Sequence, residues 1–298
     1  FSKLSHNLEL KKSANQEAAG IKPDNADEYN NIGVALKNQG NSDEALVAFK
    51  KAISIEPDYA EAHNNMGILL QEQGKLGEAI EAYKKAISIK PENAEPYLNM
   101  GNALQETGKL EEAIRAYNKA LAIKPDFVEA CYNMGSALHE RGKFDEAVEA
   151  YKKFISIKPD YAEPYLNMGG ALKEQGKLGE AIEAYNKAIS LKPDYAEAYY
   201  NIGGALQEKG KLDEAIEAYN TALSLKPDYA EVYTNMGITL NEQGKLGEAI
   251  EAYNKAISIE PDYAEAYTNM GITLNDQGKL KEAIEAHSKA ILLKPDNA

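Results

Sequence analysis

Eight asparagine side chains recur along this chain at a constant interval of 34 residues. They are Asn31, Asn65, Asn99, Asn133, Asn167, Asn201, Asn235 and Asn269. A carboxamide both donates and accepts hydrogen bonds, which matches the N–H and C=O groups of an extended polypeptide. A regular row of asparagines could therefore hold a peptide backbone without requiring a particular peptide sequence. The alternative is that these amides bond to neighbouring parts of the same protein.

The residues beside this row change from the ends of the chain to its middle. One residue before the asparagine, the side chain is polar near both ends and apolar or aromatic in the middle. The middle residues are Leu98, Tyr132, Leu166 and Tyr200. Three residues after the asparagine, the corresponding side chains are small, at Asn102, Ser136, Gly170 and Gly204. Because aromatic anchors are typical of binding hot spots, we predict a central site that accepts an apolar side chain of a partner. Random drift on a solvated surface is the alternative.

Acidic residues stand seven positions after seven of the eight asparagines. They are Glu72, Glu106, Glu140, Glu174, Glu208, Glu242 and Asp276. A lysine stands three residues beyond each acid, from Lys75 to Lys279. One interpretation is a set of exposed ion pairs that contribute little to stability. The other is an acidic margin of the binding surface that favours basic ligands.

These positions belong to a 34-residue repeat that begins at Pro23 and occurs in eight full copies, up to residue 294. We number each repeat from the third residue after its proline, which places the asparagine at position 6. Positions 8 and 15 are then always glycine, position 11 is always leucine and position 20 is always alanine. Position 24 is aromatic in seven copies and is His287 in the last. Repetition with this period predicts a solenoid, in which each repeat buries its apolar face against its neighbours.

The repeat that occupies residues 227–260 illustrates the predicted local structure. Tyr233, Met236 and Leu240 have helical spacing, and Gly244 provides the left-handed residue that ends this first helix. A second helix is predicted from about residue 248 to residue 259, where Pro261 prevents its continuation. Each repeat is therefore expected to be two antiparallel helices joined by a tight turn.

Two finer features of this repeat are also predicted from its residues. Asp228 to Glu231 has the pattern of a capping box, with an acidic N-cap and Glu at the third helical position. Gly237 and Ala249 are expected to be small because the two helix backbones approach closely there.

The repeat resembles the tetratricopeptide repeat, on about nine-tenths of the chain. The resemblance rests on the period, glycine at position 8, alanines at positions 20 and 27, and the closing proline. The repeat departs from the family pattern at position 4, which is Tyr, His63 or Cys131, and at position 11, which is leucine. In the fourth repeat, Phe154 replaces the small residue at position 27, which puts the ordinary helix spacing there in doubt. The resemblance implies an all-α, right-handed α-α superhelix whose first helices line a concave wall. The tetratricopeptide superhelix of O-GlcNAc transferase is similar and uses an asparagine row to hold peptides.

The chain divides into three parts. Residues 1–22 are expected to form a degenerate helix or half-repeat that covers the first repeat, or else a frayed terminus. Residues 23–294 hold the eight repeats, and residues 295–298 begin a ninth. The last predicted helix has no polar capping helix after it. We therefore expect either a fragment of a longer protein or an array whose end stacks on another chain.

The composition argues against several classes of function. The formal net charge is −14, and no basic cluster interrupts it, which argues against nucleic-acid binding. No apolar stretch approaches the ~20 residues that span a membrane, and residues 1–22 lack the apolar core of a signal peptide. The single Cys131 cannot form an internal disulfide, which is compatible with a reducing compartment but does not establish one. Because neither a signal peptide nor a membrane span is found in this sequence, we expect a cytoplasmic location.

No arrangement of residues predicts catalysis, a metal site or a cofactor. The four histidines share no ligand spacing with one another or with Cys131. They are His6, His63, His139 and His287. The resemblance implies a scaffold that binds a protein or an extended peptide, with no cofactor. Two alternatives stay open: the recognition arm of a larger transferase, such as a glycosyltransferase, and a scaffold that self-associates end to end.

Overall fold

The computed structural model of the chain describes residues 25–294. The predicted segments of residues 1–22 and 295–298 lie outside the described residues. The described part contains sixteen α-helices and no strand. In chain order they are α1 (Ala26–Asn38), α2 (Ser42–Ile55), α3 (Ala60–Glu72), α4 (Leu76–Ile89), α5 (Ala94–Glu106), α6 (Leu110–Ile123), α7 (Val128–Glu140), α8 (Phe144–Ile157), α9 (Ala162–Glu174), α10 (Leu178–Leu191), α11 (Ala196–Glu208), α12 (Leu212–Leu225), α13 (Ala230–Glu242), α14 (Leu246–Ile259), α15 (Ala264–Asp276) and α16 (Leu280–Leu293).

The glycine at position 15 ends every first helix, as predicted. Gly244 has a φ of 76°, a left-handed conformation that a side chain would strain. Lys245 N donates to Leu240 O at 2.9 Å and Gly244 N donates to Asn241 O at 2.8 Å, which is the Schellman pattern. The carbonyls at the end of α13 are thereby satisfied, and the chain turns at once into α14.

The predicted capping box is wrong. Helix α13 begins at Ala230, its N-cap is Tyr229, and no side chain caps it. Because the helix starts one residue later than the pattern suggests, Asp228 lies outside capping reach. Side-chain caps occur where asparagine precedes a first helix, as at Asn25, whose Oδ1 accepts from Glu28 N at 2.8 Å.

The glycine at position 8 makes room for the aromatic ring at position 24 of the same repeat. A Cβ added to Gly67 would lie 2.6 Å from Cε1 of Tyr83, whose side chain is fully buried. Gly237 faces Tyr253 in the same way. The expected close approach of two backbones is therefore wrong at this position, because the space is filled by a ring.

The described helices form two compact blocks, one ending at Ala150 and the other starting at Tyr151. Within each block, a first helix packs on the second helix of its own repeat, and that helix packs on the next first helix. Neighbouring first helices of a block also approach each other directly, whereas its second helices do not. The first helices thus lie on the inner side of the stack. The all-α tandem solenoid is confirmed, and its right-handed sense stays a prediction.

Two unusual core residues are buried, and the changed helix spacing suspected at Phe154 stays a prediction. Cys131 is a buried thiol at position 4, as expected. Phe154 is 8% exposed and meets the ring of Tyr161 edge-on, at 5.9 Å between ring centroids. Helix α8, which contains Phe154, has 14 residues like the other second helices.

Candidate functional site

The asparagines at position 6 all lie on first helices and are half-buried. Four of them donate a hydrogen bond from Nδ2 to a side chain of the preceding repeat. The bonds join Asn65 to Asn30 Oδ1 (3.0 Å), Asn99 to Asn64 Oδ1 (3.1 Å), Asn133 to Asn102 Oδ1 (2.8 Å) and Asn235 to the Tyr200 hydroxyl (2.8 Å). These four amides therefore link adjacent repeats, which agrees with the alternative that the asparagines bond to neighbouring parts of the same protein.

The row keeps hydrogen-bonding capacity despite these links. Within residues 25–294, the side chains of Asn31, Asn201 and Asn269 form no hydrogen bond. Each of the four linked amides uses one N–H, which leaves the second N–H and the carbonyl oxygen. This row of half-buried amides, four of which are oriented by the links between repeats, can bind further donors and acceptors.

The predicted hot spot differs from the expectation at its two leucines. Leu98 and Leu166 are only 9% and 4% exposed, so they do not present their side chains beside open space. The physical reason is that position 5 faces the next repeat, as the contact of Tyr200 with Asn235 illustrates. Tyr132 and Tyr200 remain half-buried.

Tyr200 is held in place by its neighbours. Its ring lies 5.4 Å from that of Tyr229, and its hydroxyl accepts the bond from Asn235. Burial raises the pKa of Tyr200, and the bond from Asn235 opposes this shift. The space expected beside Gly204 is reached by Lys173, whose Nζ would lie 3.6 Å from an added Cβ. These contacts hold the half-buried Tyr200 ring in one orientation.

A chain of hydrogen bonds, absent from the sequence predictions, connects the core to the acids at position 13. The Tyr83 hydroxyl donates to Gln71 Oε1 at 2.9 Å, and Gln71 Nε2 donates to Glu106 of the next repeat. The same arrangement joins Tyr117, Gln105 and Glu140 (3.0 and 2.5 Å) and Tyr219, Gln207 and Glu242 (3.2 and 2.9 Å). Position 12 thus orients the acid at position 13 of the following repeat.

Where position 12 is lysine, an ion pair replaces the glutamine link. Lys37 binds Glu72 at 2.7 Å, and Lys173 binds Glu208 at 2.9 Å. The expectation that the lysines three residues beyond would pair with these acids is therefore wrong for Glu72 and Glu208. The reason is that the stacking of repeats brings the lysine at position 12 within ion-pairing distance of the acid of the next repeat.

A second acidic row, at position 2, was missed in the sequence predictions. Its members are Asp27, Glu61, Glu95, Glu129, Glu163, Glu197, Glu231 and Glu265, all exposed in the first turns of the first helices. Their 34-residue interval can be read from the sequence, but Glu231 was interpreted as part of a helix cap and not as a member of an acidic row. Acids here are favoured by the helix dipole. Positions 2 and 13 place carboxylates before and after the asparagine on seven of the eight first helices.

We expect the change Gln71→Met to lower the free energy of unfolding by about 1–3 kcal/mol, because the buried Tyr83 hydroxyl loses its acceptor. The matched background is Tyr83→Phe, in which the hydroxyl is absent. In that background Gln71→Met should have little further effect. Urea unfolding of the four proteins measures the coupling, and equal losses in both backgrounds would contradict the link.

The histidine, cysteine and acidic side chains of the described residues are the other candidates for reactive or metal-binding groups. His63 is 8% exposed, and its Nε2 lies 3.0 Å from the Pro57 carbonyl oxygen. In residues 25–294, no group of three or more His, Cys, Asp and Glu side chains could hold a metal ion. No helix in this part of the chain is long and apolar enough to cross a membrane.

Comparison with protein families finds matches over most of the chain. A family model described as "TPR repeat" matches residues 37–74, 69–108, 101–140, 135–176 and 169–210. Two models described as "Tetratricopeptide repeat" match residues 194–262 and 264–297. No curated protein sequence matches the chain.

Solved structures share the arrangement of helices. A crystal structure of MamA is 33% identical, with a TM-score of 0.50, over 55% of this chain and 96% of that one. The structure of YrrB, described as "a TPR protein with an unusual peptide-binding site", is 28% identical, with a TM-score of 0.52, over 63% and 96%. The Cut9–Hcn1 hetero-tetramer of APC/C is 20% identical, with a TM-score of 0.59, over 91% and 53%, which shows the fold alone.

Proposed function

Because this chain belongs to the tetratricopeptide repeat family, we propose that it is a non-catalytic scaffold whose row of first helices binds an extended segment of a partner protein. The peptide-binding site described for YrrB supports a peptide as the ligand. No residue of the chain is assigned a catalytic role in this proposal, and no cofactor is needed.

The observation that carries the proposal is the row of asparagines at position 6. Links such as Asn65 to Asn30 fix the amides before a ligand arrives, which lowers the entropy lost on binding. The remaining N–H and C=O groups match those of an extended backbone. All eight members of the row contribute in this proposal, and Asn31, Asn201 and Asn269 contribute with their whole amide.

Side chains beside the row would give the partner its preferred positions. Tyr132 and Tyr200 are half-buried and are proposed to contact apolar side chains of the partner. Leu98 and Leu166 are buried and would support the surface from beneath. The hot spot of the proposal therefore consists of the two tyrosines, backed by the two leucines.

The charge of the surface favours a basic partner. The chain has a net charge of −14, and acids occupy position 2 in all eight repeats and position 13 in seven. Because exposed charges are screened by salt, binding to such a surface weakens as the ionic strength rises. We propose a partner segment with lysine or arginine next to its apolar residues.

The test compares two double variants of the C-terminal block. Asn201→Ala with Asn269→Ala removes two row amides that lack internal bonds, and Asn186→Ala with Asn220→Ala removes two exposed amides of second helices. We expect only the first variant to lose affinity, roughly 30-fold if each amide contributes about 1 kcal/mol. Pull-down from lysate, with salt elution of the bound partners, supplies the readout. If both variants retain the same partners as the wild type, the row is structural.

Self-association is a second candidate, favoured by the exposed apolar side chains of α16. Leu280, Ile284, Ile291 and Leu292 are 60%, 66%, 51% and 78% exposed. The first helix α1 is poorly suited to cover them, because it has Glu28 at position 3, where later repeats bury residues such as Ala62 and Ala266. We therefore rank peptide binding first. The transferase arm and the cytoplasmic location stay predictions from the sequence.

A further inference from the structure

An aromatic ring stands at position 34, just before the next first helix, in six of the seven junctions between repeats. The rings belong to Tyr59, Phe127, Tyr161, Tyr195, Tyr229 and Tyr263. Such a ring lies over position 5 of its own repeat. Asn30 Nδ2 donates to the Tyr59 hydroxyl at 3.5 Å, and the ring of Tyr229 stacks on that of Tyr200.

Asn93 replaces the ring at the junction between the second and third repeats. Its side chain turns to the backbone, where Oδ1 accepts a hydrogen bond from Glu95 N at 3.1 Å. The space beside position 5 is consequently open, as a cavity of about 710 Å³. Its walls include Ala60, Asn64, Asn65, Ile89 and Lys90.

The side-chain amide of Asn64, a mostly buried residue, borders this open space. Asn64 is 6% exposed, and its Oδ1 accepts from Asn99 at 3.1 Å. Within residues 25–294, its Nδ2 has no acceptor. The equivalent amide of Asn30 is satisfied on both sides, by Asn65 and by the Tyr59 hydroxyl. Asn64 therefore lacks the hydrogen-bond acceptor that the Tyr59 hydroxyl supplies to Asn30 one repeat earlier.

Lys90 has no aromatic partner in the described part of the chain, because Asn93 replaces the ring. At four other junctions a lysine three residues before the ring stacks on it. Its Nζ lies 4.6 Å from the Phe127 centroid for Lys124 and 4.1 Å from the Tyr229 centroid for Lys226. Lys192 makes the same contact with Tyr195 at 4.4 Å. Lys90 has Asn93 in place of the ring and lines the cavity. A cation beside an open space of this kind favours an aromatic ring.

We propose that this cavity binds a tyrosine side chain of the partner. The ring takes the place that Tyr59 occupies one repeat earlier, its hydroxyl accepts from Asn64 Nδ2, and Lys90 stacks on its face. Ile89 lines the cavity, and its counterpart Ile259 packs on the same core cluster as the Tyr263 ring. Asn65 of the asparagine row lines the same cavity, so the proposed site rests on the proposed function. The cavity would select a tyrosine at one position of the peptide that the row binds.

The rim of the cavity makes the site selective against phosphotyrosine. Asp58, Glu61, Glu92 and Glu95 lie around it, and Lys90 is the one cation among its described lining residues. A phosphate carries nearly two negative charges and would be repelled by these carboxylates. Phosphorylation of the partner's tyrosine is therefore expected to release it.

The test uses p-cresol, which is the tyrosine side chain itself, and toluene as the probe without a hydroxyl. We expect p-cresol to shift the NMR signals of the Asn64 side-chain amide and of the Ile89 methyl groups. Toluene should shift only the Ile89 signals and bind about fivefold more weakly. In Asn93→Tyr the built-in ring should abolish both responses, whereas Asn118→Tyr, at an exposed site on α6, should leave them unchanged.

A second variant keeps the cavity but removes the donor. In Asn64→Leu, p-cresol and toluene should bind with equal affinity. The proposal is overturned if p-cresol leaves the Asn64 amide unshifted, or if Asn93→Tyr retains the response. The assay contains no partner protein, so its failure concerns the cavity alone. Failure of the asparagine variants to lose partners would instead overturn the proposed function and leave the phenol site standing.

Discussion

Raising the pH above 10 is expected to unfold the array in a steep transition. Six tyrosines at position 24 are at most 1% exposed, and five of them have a raised pKa: Tyr83, Tyr117, Tyr185, Tyr219 and Tyr253. Burial is the main cause that raises the pKa of each, to about 12 for Tyr253 and further for the others. The acids at position 13 add to the shift, as Glu106 and Glu72 do for Tyr83.

The loss of stability at high pH follows from comparing the ionisation of these tyrosines in the folded and the unfolded chain. Below pH 10 the tyrosines are neutral in both states, and their full contribution to stability is present. Between pH 10 and the folded pKa, only the unfolded chain ionises, so stability falls by about 1.4 kcal/mol per pH unit for each tyrosine. Five such tyrosines would remove roughly 7 kcal/mol per pH unit, which is comparable to the whole stability of an ordinary domain.

The measurement follows tyrosinate absorbance and helicity together as the pH rises. We expect the buried tyrosines to ionise only as the helices melt. In Tyr185→Phe with Tyr253→Phe, two ionisable groups are absent, and the transition should be less steep. If most tyrosines ionised near pH 10 while helicity persisted, the rings would be accessible to water and the expectation would be wrong.

Replacing Gly67 by alanine is expected to lower the free energy of unfolding by about 2 kcal/mol. The added Cβ would lie 2.6 Å from Cε1 and 2.8 Å from Cδ1 of Tyr83. That ring is fully buried, and its hydroxyl is bonded to Gln71, so it cannot swing away. Overpacking of this kind costs about 1–3 kcal/mol or more, which outweighs the gain of up to about 1 kcal/mol in helix propensity.

Gly77 provides the matched control for this substitution. It lies in α4 near its start, and an added Cβ would meet nothing within 4 Å. Gly77→Ala should therefore leave stability unchanged or raise it by up to about 1 kcal/mol. Adding Tyr83→Leu to the Gly67 variant should relieve the clash, so that the two losses are less than additive. Equal effects of alanine at Gly67 and Gly77 in urea unfolding would contradict the packing argument.

The sequence alone determined the architecture of the repeat. The 34-residue period, the helical spacing of apolar residues and the closing proline predicted helix pairs, and the second helix predicted for residues 248–259 is Leu246–Ile259. Gly244 has the predicted left-handed φ. Each of these features depends on residues that are close together in the sequence, and a single repeat is therefore enough to predict them.

The contacts of the candidate site were decided only by the tertiary structure. Leu98 is buried rather than presented, Glu106 is bound by Gln71 rather than by a lysine of its own repeat, and Asn65 reaches Asn30. Each of these outcomes depends on how far one repeat is shifted and rotated against the next, and no local pattern encodes that offset. The cavity at Asn93 shows the same limit: the missing ring can be seen in the sequence, but the unpaired amide of Asn64 beside it exists only once the repeats are stacked.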